Sequence, residues 1–384
     1  MCWKHVEPLS LIPLQTIGFD AKRIVNNGTG LGSYGRTLVN DLIRRGDPDF
    51  HYLLYAPDKG NDTLRTQVKV GPHAEFRYPS HHILPLPAAL WRSRAIVSDL
   101  RHDGVKIYHG LSGELPLGLR KAGIKGVVTI HDLIFLRHPE YYHSIDARLY
   151  AWKFHKTLRE ADHIIAISER TKHDILEFGD ISEERISVIY QSFAPRYAAT
   201  FTSEQQQLIR QRYQLPPHFI LSVGTIEHRK NLLLAVKALD LLPSDLHLVA
   251  IGRQTSYAKE LPRSERLHLV SGVPDTDLAV IYHLADAFVY PSRYEGFGIP
   301  IIEAIAAGLP VVACTGSCLE EAGGPASLYV DPDDAEGLSR AILAVLPGAE
   351  GRDERIRDSQ QYIRRFQGSD VAAQVMEVYS RLSM

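Results

Sequence analysis

Short runs of β-branched and aromatic residues, each bounded by Gly, Pro or Asp, alternate along the chain with longer stretches whose apolar residues recur at helical spacing. This alternation is the pattern of βα units feeding a parallel sheet, because strands covered on both faces read as near-continuous apolar runs. LQTIGFDA, FHYLLYAP, VKIYHG, GVVTIHD, DHIIAIS and ISVIYQ read as strands of a first α/β domain. Between about Phe193 and Pro217 the pattern breaks into a polar, proline-flanked stretch, which places the domain junction there. It resumes with FILSVG, LHLVAIG, LHLVSG, AFVYPS, PVVACTG and ASLYVDP, separated by helical segments such as NLLLAVKALDLL. These are the strands of a second α/β domain. The last segment, VAAQVMEVYSRL, is apolar at helical spacing and ends the chain as a helix.

A length of 384 residues fits two cores of ordinary size. The formal net charge of -2 removes the electrostatic footprint of a nucleic-acid binder. Cys2, Cys314 and Cys318 are too few and too scattered for a disulfide framework, and no Cys/His set has zinc spacing. A reducing cytoplasm is the expected compartment. The N-terminal MCWKHVEPLSLIPLQTIGFDA has a short apolar stretch broken by Pro13, and no window is long enough to span a bilayer. The chain therefore reads as soluble, or bound to a membrane surface at most.

Two α/β domains of similar size imply a cleft lined by the carboxyl ends of their strands, where ligands bind. The stretch YEGFGIPIIEAIAAGLPVVA sets Glu295 and Glu303 around a glycine loop that leads into a helix opened by Pro300. Glycines 296 and 298 leave backbone N–H groups open to a close ligand, and a helix N-terminus favours anions. One such glutamate alone would read as a partner of the helix dipole; two of them, with glycines between, point to a site.

In SVGTIEHRKNLLLAVKAL, Arg229 and Lys230 precede a helix for which Asn231 is the expected N-cap. Two cations at a helix N-terminus call for an anion between them, and a diphosphate would serve; a solvated pair is the alternative. NNGTGLGSYGRT contains Gly30-x-Gly32-x-x-Gly35, a formal match to the dinucleotide fingerprint. The match is weak, because Asn26, Asn27 and Gly28 precede it and the second strand lacks a terminal acid. A glycine loop that approaches a charged ligand reads better. His131 ends a strong strand in VVTIHDL and is placed to contact a sugar hydroxyl or assist proton movement. Asp331 and Asp333 mimic a metal-binding pair, but a turn with a helix N-cap explains them. No metal site is expected.

Together, GTGLGSYGRT, VVTIHDLIFLRHPEYY, SVGTIEHRKNL, DAFVYPSRYEGFGIPIIEAIAAGLPVVA and YVDPDD resemble the retaining nucleotide-sugar glycosyltransferases of family 4. The resemblance covers nearly the whole chain, and its Glu-x7-Glu stretch is the most specific part. It implies the GT-B fold: two facing Rossmann-like domains with parallel sheets, residues 1–192 on the acceptor side and 193–365 binding the nucleotide sugar. The final helix, 366–384, would rejoin the first domain. It implies transfer of a hexose from a nucleotide-diphosphate sugar to a glycan or lipid-linked hydroxyl, with retention, without metal or cofactor. By position, Glu303 would hold the ribose, and Glu295 with the N–H groups of Phe297 and Gly298, next to Gly296, would hold the donor sugar. Arg229 and Lys230 would neutralise the diphosphate, Gly30 and Gly32 would approach it, and His131 would contact the sugar.

Two places depart from the family pattern. Thr225 stands where many members have Arg, and Gln191-Ser192 replaces a frequent Asn-Gly. TIHDL with GTIEHRKNL is similar to mannosyltransferase-like members, which favours GDP-mannose over a UDP-sugar. A nicotinamide-dependent oxidoreductase and a non-catalytic sugar-nucleotide-binding protein are the competing readings. RLYAWKFHKTLRE, residues 148–160, is basic and aromatic; it would either touch an anionic inner membrane face peripherally or pack Leu149, Trp152 and Leu158 into the domain.

Overall fold

A computed structural model of the chain describes residues 15–79 and 87–383; Cys2 and most of the N-terminal apolar stretch lie outside them. The first sheet comprises β1 (Gln15–Asp20), β2 (Phe50–Tyr55), β3 (Ala74–Arg77), β4 (Ile107–Gly110), β5 (Lys125–Ile130), β6 (His163–Ala166) and β7 (Ile186–Val188). Its order is β3-β2-β1-β4-β5-β6-β7. The second comprises β8 (His218–Val223), β9 (Leu246–Ile251), β10 (Leu267–Val270), β11 (Ala287–Tyr290), β12 (Val311–Cys314) and β13 (Leu328–Val330), ordered β10-β9-β8-β11-β12-β13. Neighbours such as β1 and β2, or β8 and β9, run parallel. The chain thus has the two parallel-sheet α/β domains expected from its periodicity, with β3 as an additional edge strand.

Two compact units divide the chain. The first takes residues up to Thr129 together with Lys156–His163 and Val375–Met384; the second takes Ile130–His155 and Ile164–Gln374. The stretch expected at the domain junction lies between β7 and β8. It carries a helix of its own, Ser203–Arg212, started by a capping box of Thr202 and Gln205.

In the first unit, the end of the terminal helix Gly368–Ser383 is tied to the sheet by polar contacts in the core. Nδ1 of buried His109 lies 2.6 Å from the Tyr379 hydroxyl, and its Nε2 lies 2.8 Å from the Thr129 hydroxyl. Buried polar groups must be satisfied internally, and these satisfy one another.

In the second unit, alternation along the strands sorts side chains between the two faces of the sheet. Phe219, Leu221, Phe288 and Tyr290 share one core with Ile301 and Ile302 of the helix Ile299–Ala306. Ile220, Ala287 and Val289 share the other with Leu234, Ala235 and Leu239 of the helix Leu232–Leu239. Each large side chain buried this way contributes about 1.5–3 kcal/mol. The two cores fix the loops after β8 and β11, which carry the charged residues of the site.

Candidate active site

Glu295 sits in the loop between β11 and the helix Ile299–Ala306 and is buried. Its Oε2 lies 2.9 Å from Arg229 and its Oε1 lies 2.5 Å from Lys230 Nζ. Ser292 donates its hydroxyl to Oε1 at 2.5 Å. Burial alone would raise the Glu295 carboxyl, but the charges of Lys230 and Arg229 outweigh it and hold it at about 2. Lys230 also donates to the Tyr290 hydroxyl at 2.6 Å, and burial lowers its ammonium despite Glu295. Arg229 donates to the Tyr294 carbonyl at 2.6 Å and to Glu227 at 2.9 Å. The anion that the two cations call for is therefore the chain's own carboxylate.

The glycine loop is shaped by close approach. A Cβ on Gly296 would lie 2.0 Å from the His131 carbonyl oxygen, so only glycine fits there, and Gly298 adopts φ +124° as the residue before the helix. The hydroxyls of Ser168 and Thr171 tie the loop down: Ser168 donates to the Gly296 carbonyl at 2.7 Å and Thr171 to the His131 carbonyl at 3.2 Å. The buried thiol of Cys318 lies 3.0 Å from the Glu295 carbonyl and 3.1 Å from that of Phe297. Gln191, also buried, donates its amide to His131 Nδ1 at 2.8 Å, which leaves the proton of the neutral ring on Nε2.

Glu303 belongs to a different environment. Half-buried on the helix Ile299–Ala306, it accepts from the Tyr282 hydroxyl at 3.1 Å. Burial pushes its carboxyl up to about 8, against the hydrogen bonds of Tyr282 and Tyr197. The Glu-x7-Glu stretch thus holds one ionised and one neutral carboxyl near neutral pH.

Residues 28–194 match the family described as Glycosyltransferase Family 4, and residues 205–362 match Glycosyl transferases group 1. The chain is a glycosyltransferase made of these two domains in succession. It is 29% identical over 375 residues to O-antigen chain mannosyltransferase B of Escherichia coli, covering 92% of this chain and 96% of that one. It is 28% identical over 274 residues to serotype-specific mannosyltransferase WbdA of Escherichia coli; this match takes in 67% of this chain and 34% of that longer protein. A sucrose-phosphate synthase structure from Thermosynechococcus elongatus superposes with TM-score 0.77 at 21% identity, covering 96% of this chain and 99% of that one. The fold is that of the GT-B glycosyltransferases.

Within this glycosyltransferase, the second compact unit brings together Glu295, Arg229, Lys230, Gly296 and His131. Thr225 and Lys230 line the same small cavity, with Tyr290. Gly30 and Gly32 lie in the first unit, in the opening turn of the helix Gly30–Arg45. A Cβ on Gly32 would meet the Asn27 carbonyl oxygen at 1.9 Å, a local packing reason for that glycine, whereas Gly30 has open space.

Two expectations change. Asn231 precedes its helix but makes no side-chain cap; it adopts a left-handed conformation and donates instead to the Pro332 carbonyl at 2.8 Å. Leu149 and Trp152 do not pack into the domain: they are 46% and 56% exposed, and only Leu158 of the three is buried. As expected from the sequence, the glycines of the dinucleotide-like match do not follow β1 directly; the short helix Lys22–Asn26 intervenes.

Asp331 takes part in a turn as expected, accepting from the Asp333 N–H at 2.8 Å, while Asp334 caps the helix Ala335–Leu343. Among the described residues, His173, Asp174 and Glu177 come within metal-binding distance of one another, but Arg137 pairs with both carboxylates. Sequence reasoning missed Tyr290, Ser292, Cys318 and Gln191. Only Gln191 had a signal, as a departure from the family pattern.

Proposed function

We propose that this glycosyltransferase moves mannose from GDP-mannose to a hydroxyl of a glycan or lipid-linked acceptor, with retention of anomeric configuration and without a metal. A UDP-sugar is the alternative donor. The observation that carries this reading is the cluster of partly buried Arg229 and Lys230 with buried Glu295 beside the glycine loop. Two adjacent cations can take the negative charge that grows on a departing diphosphate, the task a metal ion performs elsewhere. The resemblance to O-antigen mannosyltransferases supports mannose as the sugar.

In this mechanism the bond between the anomeric carbon and the diphosphate oxygen breaks, the acceptor oxygen bonds to the same face of that carbon, and the acceptor's proton passes to the departing diphosphate oxygen. Arg229 and Lys230 neutralise the leaving group. Glu295, released from them by the diphosphate, stands by the sugar with the N–H groups of Phe297 and Gly298. His131, oriented by Gln191, donates its Nε2 proton to the sugar, and Glu303 accepts from the ribose. The resemblance assigns Gly30 and Gly32 to the diphosphate as well.

The exposed Ile145, Leu149 and Trp152, spaced as one stripe of the helix Ser144–Glu160 among basic residues, support a peripheral contact with an anionic membrane face. Among the described residues no helix is long and apolar enough to cross a membrane.

The test is to incubate GDP-mannose and, separately, UDP-sugars with the protein in excess EDTA and to follow the anomeric proton by NMR. Transfer or hydrolysis that yields the α-anomer first is expected. Activity that vanishes on chelation and returns with Mg²⁺ or Mn²⁺ excludes the metal-free mechanism, and initial release of the β-anomer excludes retention.

A further inference from the structure

A cavity of about 740 Å³ in the second unit counts Arg229 among its lining residues. This volume lies within the ~300–1,000 Å³ of small-molecule sites. Its lining includes three aromatic residues, Tyr141, Tyr142 and Tyr257, and three acidic ones, Glu140, Glu227 and Glu260. His228 lies against Tyr257, with ring centroids 4.3 Å apart, and its Nε2 is 3.3 Å from Glu260. The Tyr142 ring stands edge-on to Phe135 and Tyr150, which fixes its plane.

The chemistry of this lining selects its ligand. Both arginines at the cavity are already paired, Arg229 with Glu295 and Glu227, and Arg293 with Asp333. With Glu227 answering Arg229 even when a diphosphate displaces Glu295, the lining still carries Glu140 and Glu260, which face only the histidines His138 at 2.9 Å and His228 at 3.3 Å and so disfavour a phosphate here. Carboxylates accept strongly from hydroxyl groups, and aromatic faces carry negative charge that attracts weakly positive C–H bonds. A neutral pyranose offers both, with hydroxyls around its rim and C–H groups on its faces.

We propose that this cavity is a second carbohydrate subsite, which holds a sugar of the acceptor glycan beyond the one that receives the transferred hexose. The inference rests on the glycosyltransfer reading above and adds to it where the growing chain is gripped. Arg229 connects the two places: it lines the cavity, and its Nη1 lies 2.9 Å from Glu295 Oε2. Tyr142 lines the cavity together with Arg229.

The experiment is calorimetric titration of the full-length protein, without donor, with α-methyl mannoside, α-mannobiose and α-mannotriose. Affinity should climb with length, and Tyr142→Ala and Glu260→Gln should each weaken mannotriose binding about tenfold, the scale of a lost contact to a charged group. Tyr142→Phe keeps the ring and its packing and should bind like the parent. Acceptor-free hydrolysis of GDP-mannose should be unchanged in Glu260→Gln, which separates this inference from the donor reading. No oligosaccharide binding by the parent protein, or binding that both Tyr142→Ala and Glu260→Gln retain in full, overturns the subsite. Absence of donor hydrolysis in the parent bears only on the glycosyltransfer reading.

Discussion

Glu295 is ionised in the folded protein down to about pH 2, whereas Glu303 is neutral up to about pH 8. The two glutamates therefore respond to pH and to substitution in opposite ways. A folded-state pKa below the ordinary 4.5 stabilises the protein above that pH, so the Glu295 contribution is present at neutrality and is lost as pH falls toward 2. Glu295→Gln leaves the partly buried Lys230 without its buried partner, which should lower the unfolding free energy of the donor-free protein by about 3 kcal/mol in a urea titration. The same variant should lower kcat by ~10² or more with little change in donor KM; a change in KM alone would mean that Glu295 does not act at the transition state. For Glu303 the sign reverses: its stabilising share is complete below about 4.5 and is lost as pH rises through about 8. If the carboxylate holds the ribose, donor KM should fall as pH rises through 8, and Glu303→Gln should raise KM and flatten that profile, with kcat nearly intact. A parent profile that survives the substitution would assign the titration to another group.

At the scale of elements, the helix Ser144–Glu160 buries Ala147, Phe154 and Leu158 and exposes Ile145, Leu149, Tyr150 and Trp152. Such a face, with Arg148, Lys153 and Arg159 on the same helix, should sediment the protein with anionic liposomes at low salt and release it at high salt. Trp152→Ala should weaken that binding, and equal binding to neutral and anionic vesicles would count against the contact. The strands β8, β9, β11 and β12 were legible in the sequence because burial on both faces makes them nearly continuous apolar runs, and the partly buried edge strands β10 and β13 still read as LHLV and LYV. β3 was not, because an edge strand reading AEFR buries only Ala74. The helix Ser203–Arg212 also escaped notice: it buries Ile209 alone, so periodicity had nothing to register, although Thr202 and Gln205 spell its capping box. In the site, Arg229, Lys230 and Glu295 stood out as charges beside glycines. Tyr290, Ser292 and Cys318 did not, since each acts through a contact that exists only once β11 and its following loops are folded. Asn231 misled because a good capping residue is also one that tolerates a left-handed backbone.

For the whole molecule, the proposed donor site makes nucleotide binding visible as stability. A nucleoside diphosphate at a hundred times its Kd should raise the unfolding free energy by about 2.7 kcal/mol, and comparison of GDP with UDP in a thermal-shift series ranks the bases. Equal, negligible shifts with both would remove the donor site from this cluster. The carboxylate that closes on Arg229 and Lys230 gives this comparison a sharper edge. An open cationic pocket behaves like an ion-exchange resin, drawing in sulfate or inorganic phosphate indiscriminately. Here the resin is already loaded with a fixed counter-ion, so a ligand must exchange with Glu295, and binding is the difference between two ion pairs. Inorganic phosphate has only its charge to offer in that exchange and should leave the melting temperature where it was. A nucleotide brings a ribose and a base as well, so the protein can discriminate among anions before any sugar is transferred.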